Sequence, residues 1–182
     1  SVAAGVTVFV RDTLKAPADF FRVTAAGEQR LTELNAARLK DVGMGDVETF
    51  EFSGWNNDTV HGYIVKPYGF QAGRKYPVAF LIHGGPQGSW LNEFHYRWNP
   101  QTYAGAGYAV VAIDFHGSTG YGQAFTDAIS EHNGDRPLED LQKGWAAALA
   151  MILLLVLAGT GLLLILVPVL QRESAALQTQ FP

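Results

Sequence analysis

Two uninterrupted apolar runs, at 77–82 and 108–113, constrain this chain more than any other feature. Pro77-Val78-Ala79-Phe80-Leu81-Ile82 and Tyr108-Ala109-Val110-Val111-Ala112-Ile113 carry no charge and no polar alternation. Such runs suit strands buried on both faces of a parallel sheet. A parallel pair needs a crossover, and 90–106 has the length for a crossover helix. A further helix opens at Pro137-Leu138-Glu139-Asp140-Leu141, where Pro fits the first turn and the acids complement the helix dipole. Upstream, 47–52 alternates apolar with acidic or polar residues, and 60–65 reads as a second strand closed by Lys66-Pro67. Asn56-Asn57-Asp58 between them predicts a hairpin turn. Strand, helix, strand, helix in this order predicts an α/β sheet.

The flanks read differently. In 1–45, Val6-Thr7-Val8-Phe9-Val10 and Asp19-Phe20-Phe21-Arg22-Val23-Thr24 are rich in β-formers. A break at 12–17 and a turn at Ala26-Gly27-Glu28 make this zone antiparallel β. Two or three strands alone are marginal, so the zone is expected to need neighbours. From 145 to 170 there is no charge, and Gly159, Thr160, Gly161 and Pro168 are the clear interruptions. As a helix this run would be about 39 Å long, enough for a hydrocarbon core of about 30 Å. It reads as a membrane span; a buried core helix or two buried strands are the alternatives. Arg136 and Lys143 before it, against Arg172 after it, favour an inside N-terminal part. The zones are therefore 1–45, 46–149, an apolar segment at 150–170 and a polar tail at 171–182.

Composition narrows the function. A length of 182 residues fits one domain with an appendage. Thirteen Lys+Arg against 17 Asp+Glu leave a net charge of −4 and no basic stripe, which excludes a nucleic-acid partner. With 48% hydrophobic and 16% charged residues the chain is not a disordered one. Cysteine is absent, so there is no disulfide framework, thiolate zinc site or cysteine nucleophile; the compartment stays open. His61, His83, His95, His116 and His132 show no His-x-x-x-His or His-Glu-x-x-His spacing, so no metal is expected. No P-loop or dinucleotide fingerprint is present, and no cofactor is expected.

The chemistry should lie just past the two apolar runs, because ligands of open α/β sheets bind outside the carboxyl ends of strands. The first run continues as His83-Gly84-Gly85-Pro86-Gln87-Gly88-Ser89. Gly84 and Gly85 let a backbone approach a substrate and point N–H groups at a developing oxyanion. Lipases and esterases build their oxyanion hole from a loop of this type; the alternative is a plain glycine-rich turn. The second run continues as Asp114-Phe115-His116-Gly117-Ser118-Thr119-Gly120-Tyr121-Gly122, read as a tight loop supporting the site floor. Asp114 is expected to accept from backbone donors of a glycine loop, with a catalytic base as the alternative. Trp90, Phe94, Tyr96 and Trp98, with His95 and Arg97, are expected as helix core rather than a substrate cleft. Glu48 and Glu51 are expected to be solvated.

His83-Gly84-Gly85-Pro86, then Gly117-Ser118-Thr119-Gly120-Tyr121-Gly122, then Pro137 and Asp140-Leu141, resembles the prolyl oligopeptidase family of serine peptidases. The acylaminoacyl-peptidase and dipeptidyl-aminopeptidase branch is the nearest. The resemblance covers about 5–149. It implies that 1–45 is the end of a β-propeller and that an α/β-hydrolase domain begins near Val47. It implies hydrolysis of short peptides or acyl-peptides by a Ser-Asp-His triad. It also implies oxyanion support from His83, Gly84 and Gly85 and a floor made by Gly117, Ser118, Gly120 and Tyr121. His116 and Asn133 stand where many relatives have Arg and Trp.

The nucleophile motif is missing. None of Ser1, Ser53, Ser89, Ser118, Ser130 and Ser174 lies in Gly-x-Ser-x-Gly. Ser118 comes nearest, with Gly120 after it, but His116 stands where Gly is required. The resemblance stops near Ala150, and 151–170 occupies the place of the elbow. The chain is thus expected to be a piece of a serine peptidase, cut before the nucleophile and inactive alone. The contrasting expectation is a membrane-tethered, non-catalytic interaction protein. A small esterase with a non-standard nucleophile would need a serine beside a histidine base, which no sequence spacing supplies.

Overall fold

The computed structural model describes residues 2–3 and 5–153. Two four-stranded sheets organise it. The first is antiparallel throughout, in the order β1 (Val2–Ala3), β2 (Val6–Thr13), β3 (Ala16–Thr24) and β4 (Gly27–Arg30). The expected break at 12–17 shrinks to a tight turn, because β2 runs on to Thr13 and β3 starts at Ala16. Asp19 is buried in this sheet. It accepts hydrogen bonds from the Leu34 amide (2.9 Å) and the Thr32 hydroxyl (2.7 Å) and pairs with Arg30. These bonds fold the chain past β4 back onto β3 and lead into α1 (Ala36–Leu39).

The second sheet has the order β5 (Val47–Ser53), β6 (Thr59–Val65), β8 (Ala109–Asp114) and β7 (Val78–Leu81). β5 and β6 form the expected antiparallel hairpin, turning through a short 3-10 segment at Trp55–Asn57. β6 pairs antiparallel with β8, and β8 pairs parallel with β7. All six residues of β8 are buried, as a central strand requires. β7 is only half-buried, since among the described residues it has one neighbour. Its reading as a strand buried on both faces is corrected in that respect.

The crossover from β7 to β8 is also corrected. Its helix, α2, is only Pro100–Gly105, capped by the Asn99 side chain accepting from the Gln101 amide (2.9 Å). Residues 90–98 are irregular because their amides are bound elsewhere: Trp90 to Asp114, Phe94 to Asp12, and Arg97 and Trp98 to the His95 ring. Tyr96 (77% exposed) and Trp98 (56%) therefore do not form helix core.

Two apolar clusters sandwich the sheet. On one face Val60, Ile64, Val111, Ile113 and Phe115 pack against α3 (Gln123–Asp127), Ile129 and a final helical stretch, α4, at 136–153. On the other, Tyr63, Val65, Val110 and Ala112 receive Ala104 of α2 and Leu14 from the β2–β3 turn. The Leu14 amide donates to Asn92 (2.9 Å), so the first sheet is docked on the second through that turn. Glu51 is exposed, as expected, with the His61 ring 3.2 Å away, and the partly exposed Glu48 pairs with Lys66.

Among the described residues no helix is long and apolar enough to cross a membrane. The greater part of the charge-free run, with the polar tail, lies outside the described residues. Among the described residues the first sheet has four strands, and no propeller closes around it.

Candidate active-site loops

Both glycine loops leave the carboxyl ends of neighbouring parallel strands, β7 and β8. Gly84 is exposed and a Cβ there would meet nothing within 4 Å, so its backbone is open to a ligand. At Gly85, φ is +133° and a Cβ would lie 2.9 Å from the Gln87 amide nitrogen. Only glycine fits that turn. The loop closes on itself through the Gly88 amide donating to the Pro86 carbonyl (2.8 Å).

The second loop is pinned from below. The Ser118 amide donates to Phe115 O (2.9 Å) and the Gly117 amide to Phe125 O (2.9 Å). Gly117 has φ +109°, and a Cβ there would press on Ile129 at 2.8 Å. The Thr126 hydroxyl donates to the Ser118 carbonyl (3.0 Å).

The two loops are stitched together. The Thr119 amide donates to Gly88 O (3.0 Å), and the Ser89 and Thr119 hydroxyls lie 3.4 Å apart. His83 Nε2 sits 2.9 Å from Ser118 Oγ, and its ring stacks on Phe115 at 4.4 Å. Asp114, 5% exposed, accepts from the Trp90 amide (2.7 Å) and from the Tyr121 hydroxyl (2.5 Å). Burial raises its carboxyl above the ordinary 3.8, although these two hydrogen bonds and nearby His83 act the other way. Burial and Asp114 together push the Tyr121 phenol upward. Asp114 thus serves as the backbone-satisfying acceptor expected of it. Its base role has no support here, because both oxygens are already engaged.

Ser118, His83 and Asp114 resemble a hydrolytic triad in composition but not in geometry. Ser118 is wholly buried, and its hydroxyl proton goes to Phe115 O at 2.6 Å. Asp114 Oδ1 lies 3.7 Å from the same His83 nitrogen that meets Ser118. A working triad uses the two imidazole nitrogens for different partners. This serine–histidine contact was not legible in sequence, since 35 positions separate the two.

Beneath the loops lies a second group that the sequence did not mark as functional. Asp140 is wholly buried and accepts from the Trp55 amide (2.7 Å), the His116 amide (2.7 Å) and His116 Nδ1 (2.6 Å). His116 Nε2 lies 3.2 Å from Asp58. The available signal was periodic: Asp140 shares one helix face with buried Pro137, Gly144 and Ala148. An acid on an inward face demands partners. The residue is a clamp between α4, the β5–β6 turn and the second loop.

Such a sheet, with paired glycine loops at its strand ends, is an α/β fold of the kind found in acylaminoacyl peptidase hydrolase domains. A structure titled acylaminoacyl peptidase in complex with Z-Gly-Gly-Phe-chloromethyl ketone aligns at TM-score 0.73 and 27% identity, covering 82% of this chain and 24% of its own. A Mycobacterium tuberculosis puromycin-hydrolyzing peptidase shares the fold at TM-score 0.61 and 24% identity, over 82% of this chain and 23% of its own. Residues 94–154 match the model of the prolyl oligopeptidase family. A probable dipeptidyl-peptidase 5 of Aspergillus clavatus is 50% identical over 107 residues, 59% of this chain and 15% of that protein. Dipeptidyl-peptidase 5 of Schizosaccharomyces pombe is 50% identical over 97 residues, 53% of this chain and 14% of its own. By sequence over 94–154 and by fold, this chain is similar to the prolyl oligopeptidase family of serine peptidases. It spans about 15% of the length of the curated relatives it matches.

Proposed function

We propose that this chain carries the oxyanion-loop portion of a serine peptidase that acts on short peptides or acyl-peptides. The observation that carries the reading is the stitching of the exposed Gly84–Gly85 loop to the 117–122 loop at the carboxyl ends of β7 and β8. In this reading the amides of Gly84 and Gly85 face the developing oxyanion, and Gly117, Ser118, Gly120 and Tyr121 form the floor. His83 supports the loop from within: its side chain is 9% exposed and its ring is held by Phe115 and Ser118. Residues 46–149 are the corresponding part of the hydrolase domain, and 1–45 are the end of a β-propeller.

The 182 residues contain no Gly-x-Ser-x-Gly, so the chain alone does not hydrolyse substrate. Incubating the purified full chain with a dipeptide p-nitroanilide and with p-nitrophenyl acetate tests this. No release above buffer is expected, and turnover that survives repurification overturns it. Translating the coding DNA across 149–151 in all frames tests the parentage. A frame that yields Gly-x-Ser-x-Gly and then Asp and His is the expected result.

A second reading rests on the charge-free run at 145–170. It makes the chain a membrane-tethered, non-catalytic interaction protein. Release of the full chain from membranes by alkaline carbonate contradicts it.

A further inference from the structure

The Ser118 hydroxyl has one proton and two neighbours, Phe115 O at 2.6 Å and His83 Nε2 at 2.9 Å. A carbonyl oxygen only accepts, so a contact of 2.6 Å places the proton there. Ser118 Oγ is then left with lone pairs towards His83, and Nε2 must be the donor. The hydroxyl is sealed from water, so no solvent exchange relaxes this arrangement. The imidazole is fixed in the plane as well, by Phe115 stacked at 4.4 Å with 10° between the rings and by the edge of Trp90 at 6.3 Å.

We propose that Ser118 is a positioning residue for the Gly84–Gly85 loop, acting by holding His83 with its Nε2 protonated beneath that loop. The consequence reaches the loop along the chain and through one contact. His83 precedes Gly84 directly, and its Nδ1 lies 3.2 Å from the Gly84 carbonyl. With Nε2 protonated, the neutral ring has a bare Nδ1. The doubly protonated ring donates to Gly84 O as well. Each neutral tautomer leaves one contact without a proton: Nδ1 and Gly84 O at 3.2 Å when Nε2 is protonated, Nε2 and Ser118 Oγ at the shorter 2.9 Å when Nδ1 is, and the second is the costlier because Asp114 Oδ1 also faces Nε2 at 3.7 Å. Ser118 therefore selects the ring states and with them the peptide plane between Gly84 and Gly85. Thr119 and Asp114 hold the far end of the same loop, at Gly88 and Trp90. The second loop thus acts as a ruler for the first. The functional meaning of this positioning rests on the reading of Gly84–Gly85 as an oxyanion loop, whereas the histidine state does not.

The test uses the full chain labelled with nitrogen-15 and long-range proton–nitrogen correlations of its histidine rings at mildly alkaline pH. His83→Gln assigns the signal by its disappearance. The wild type is expected to show His83 protonated at Nε2. In Ser118→Ala the nearer acceptor is gone and only Asp114 Oδ1 at 3.7 Å still faces Nε2, so the Nδ1-protonated form should gain population. The Gly85 amide signal, in the peptide whose carbonyl faces Nδ1, should shift in the same variant. Thr126→Val is the control: it loosens the same loop at the Ser118 carbonyl but leaves the hydroxyl alone, so the His83 tautomer should not change. A wild-type His83 protonated only at Nδ1 overturns the proposal, whether or not Ser118→Ala folds. An unchanged His83 spectrum in a folded Ser118→Ala also overturns it. Failure of the peptidase reading would show instead in the substrate assays and leave these spectra as they are.

Discussion

At the scale of single residues, two buried carboxylates with opposite shifts make the acid behaviour of this chain testable. Asp19 is held down to about 2 by the Leu34 amide first, then by Arg30 and Thr32. A depressed carboxyl stabilises the fold above its unfolded value and loses that contribution as pH falls through the folded one. Asp19→Asn should therefore lower stability near neutral pH and flatten the loss between about 4 and 2, read by urea unfolding across that window. Asp114 has the reverse sign. Its carboxyl is raised by burial, so its share of stability is complete below 3.8 and is lost as pH rises through the folded value. Asp114→Asn keeps an acceptor for the Trp90 amide and removes the charge. Its stability should no longer decline on the alkaline side of 3.8; a slope equal to that of the wild type contradicts this assignment. The backbone-acceptor role of Asp114 was legible in sequence; its other partner and the surroundings of Asp19 were not. Asp114 could be placed at a strand end from the apolar run before it, but Tyr121 as its partner depended on the loop's path. Asp19 looked like an ordinary strand residue, because Thr32 and Leu34 return to it only after β4.

At the scale of elements, long runs were legible and short irregular segments were not. The hairpin of β5 and β6 and the strands β7 and β8 follow from alternation or continuous apolarity over four to eight residues. α4 announced its start through Pro137. The crossover misled because 90–106 is long enough for a helix, whereas Asp114 and Asp12 from two other segments, and the His95 ring from within, took the amides that a helix would have used. Asp140 is the element-level clamp. Asp140→Ala leaves the His116 and Trp55 amides and the His116 ring without their acceptor, and should destabilise the chain by about 3–5 kcal/mol in chemical denaturation. A loss below about 1 kcal/mol contradicts the clamp. Gly117→Ala tests the floor loop. Its left-handed backbone and the crowding by Ile129 should cost more than about 1 kcal/mol. Gly84→Ala meets open space and should leave stability nearly unchanged.

At the scale of the whole molecule, the chain joins an antiparallel sheet to four strands of an α/β sheet, with two glycine loops at one rim. The candidate loops were legible because His83-Gly84-Gly85-Pro86 and 117–122 each follow a run of buried-strand character. What sequence could not supply was their registration, which rests on contacts between residues 24 to 35 positions apart. The same registration brings Ser118 within hydrogen-bonding distance of His83, and so makes the claim of inactivity a sharp one. A reactive serine must be exposed and must give its proton to the histidine, whereas Ser118 is buried and gives its proton to Phe115 O. The most direct measurement is fluorophosphonate treatment of the purified full chain, followed by peptide mass mapping. No modified serine is expected. Stoichiometric modification, above all at Ser118, would contradict it.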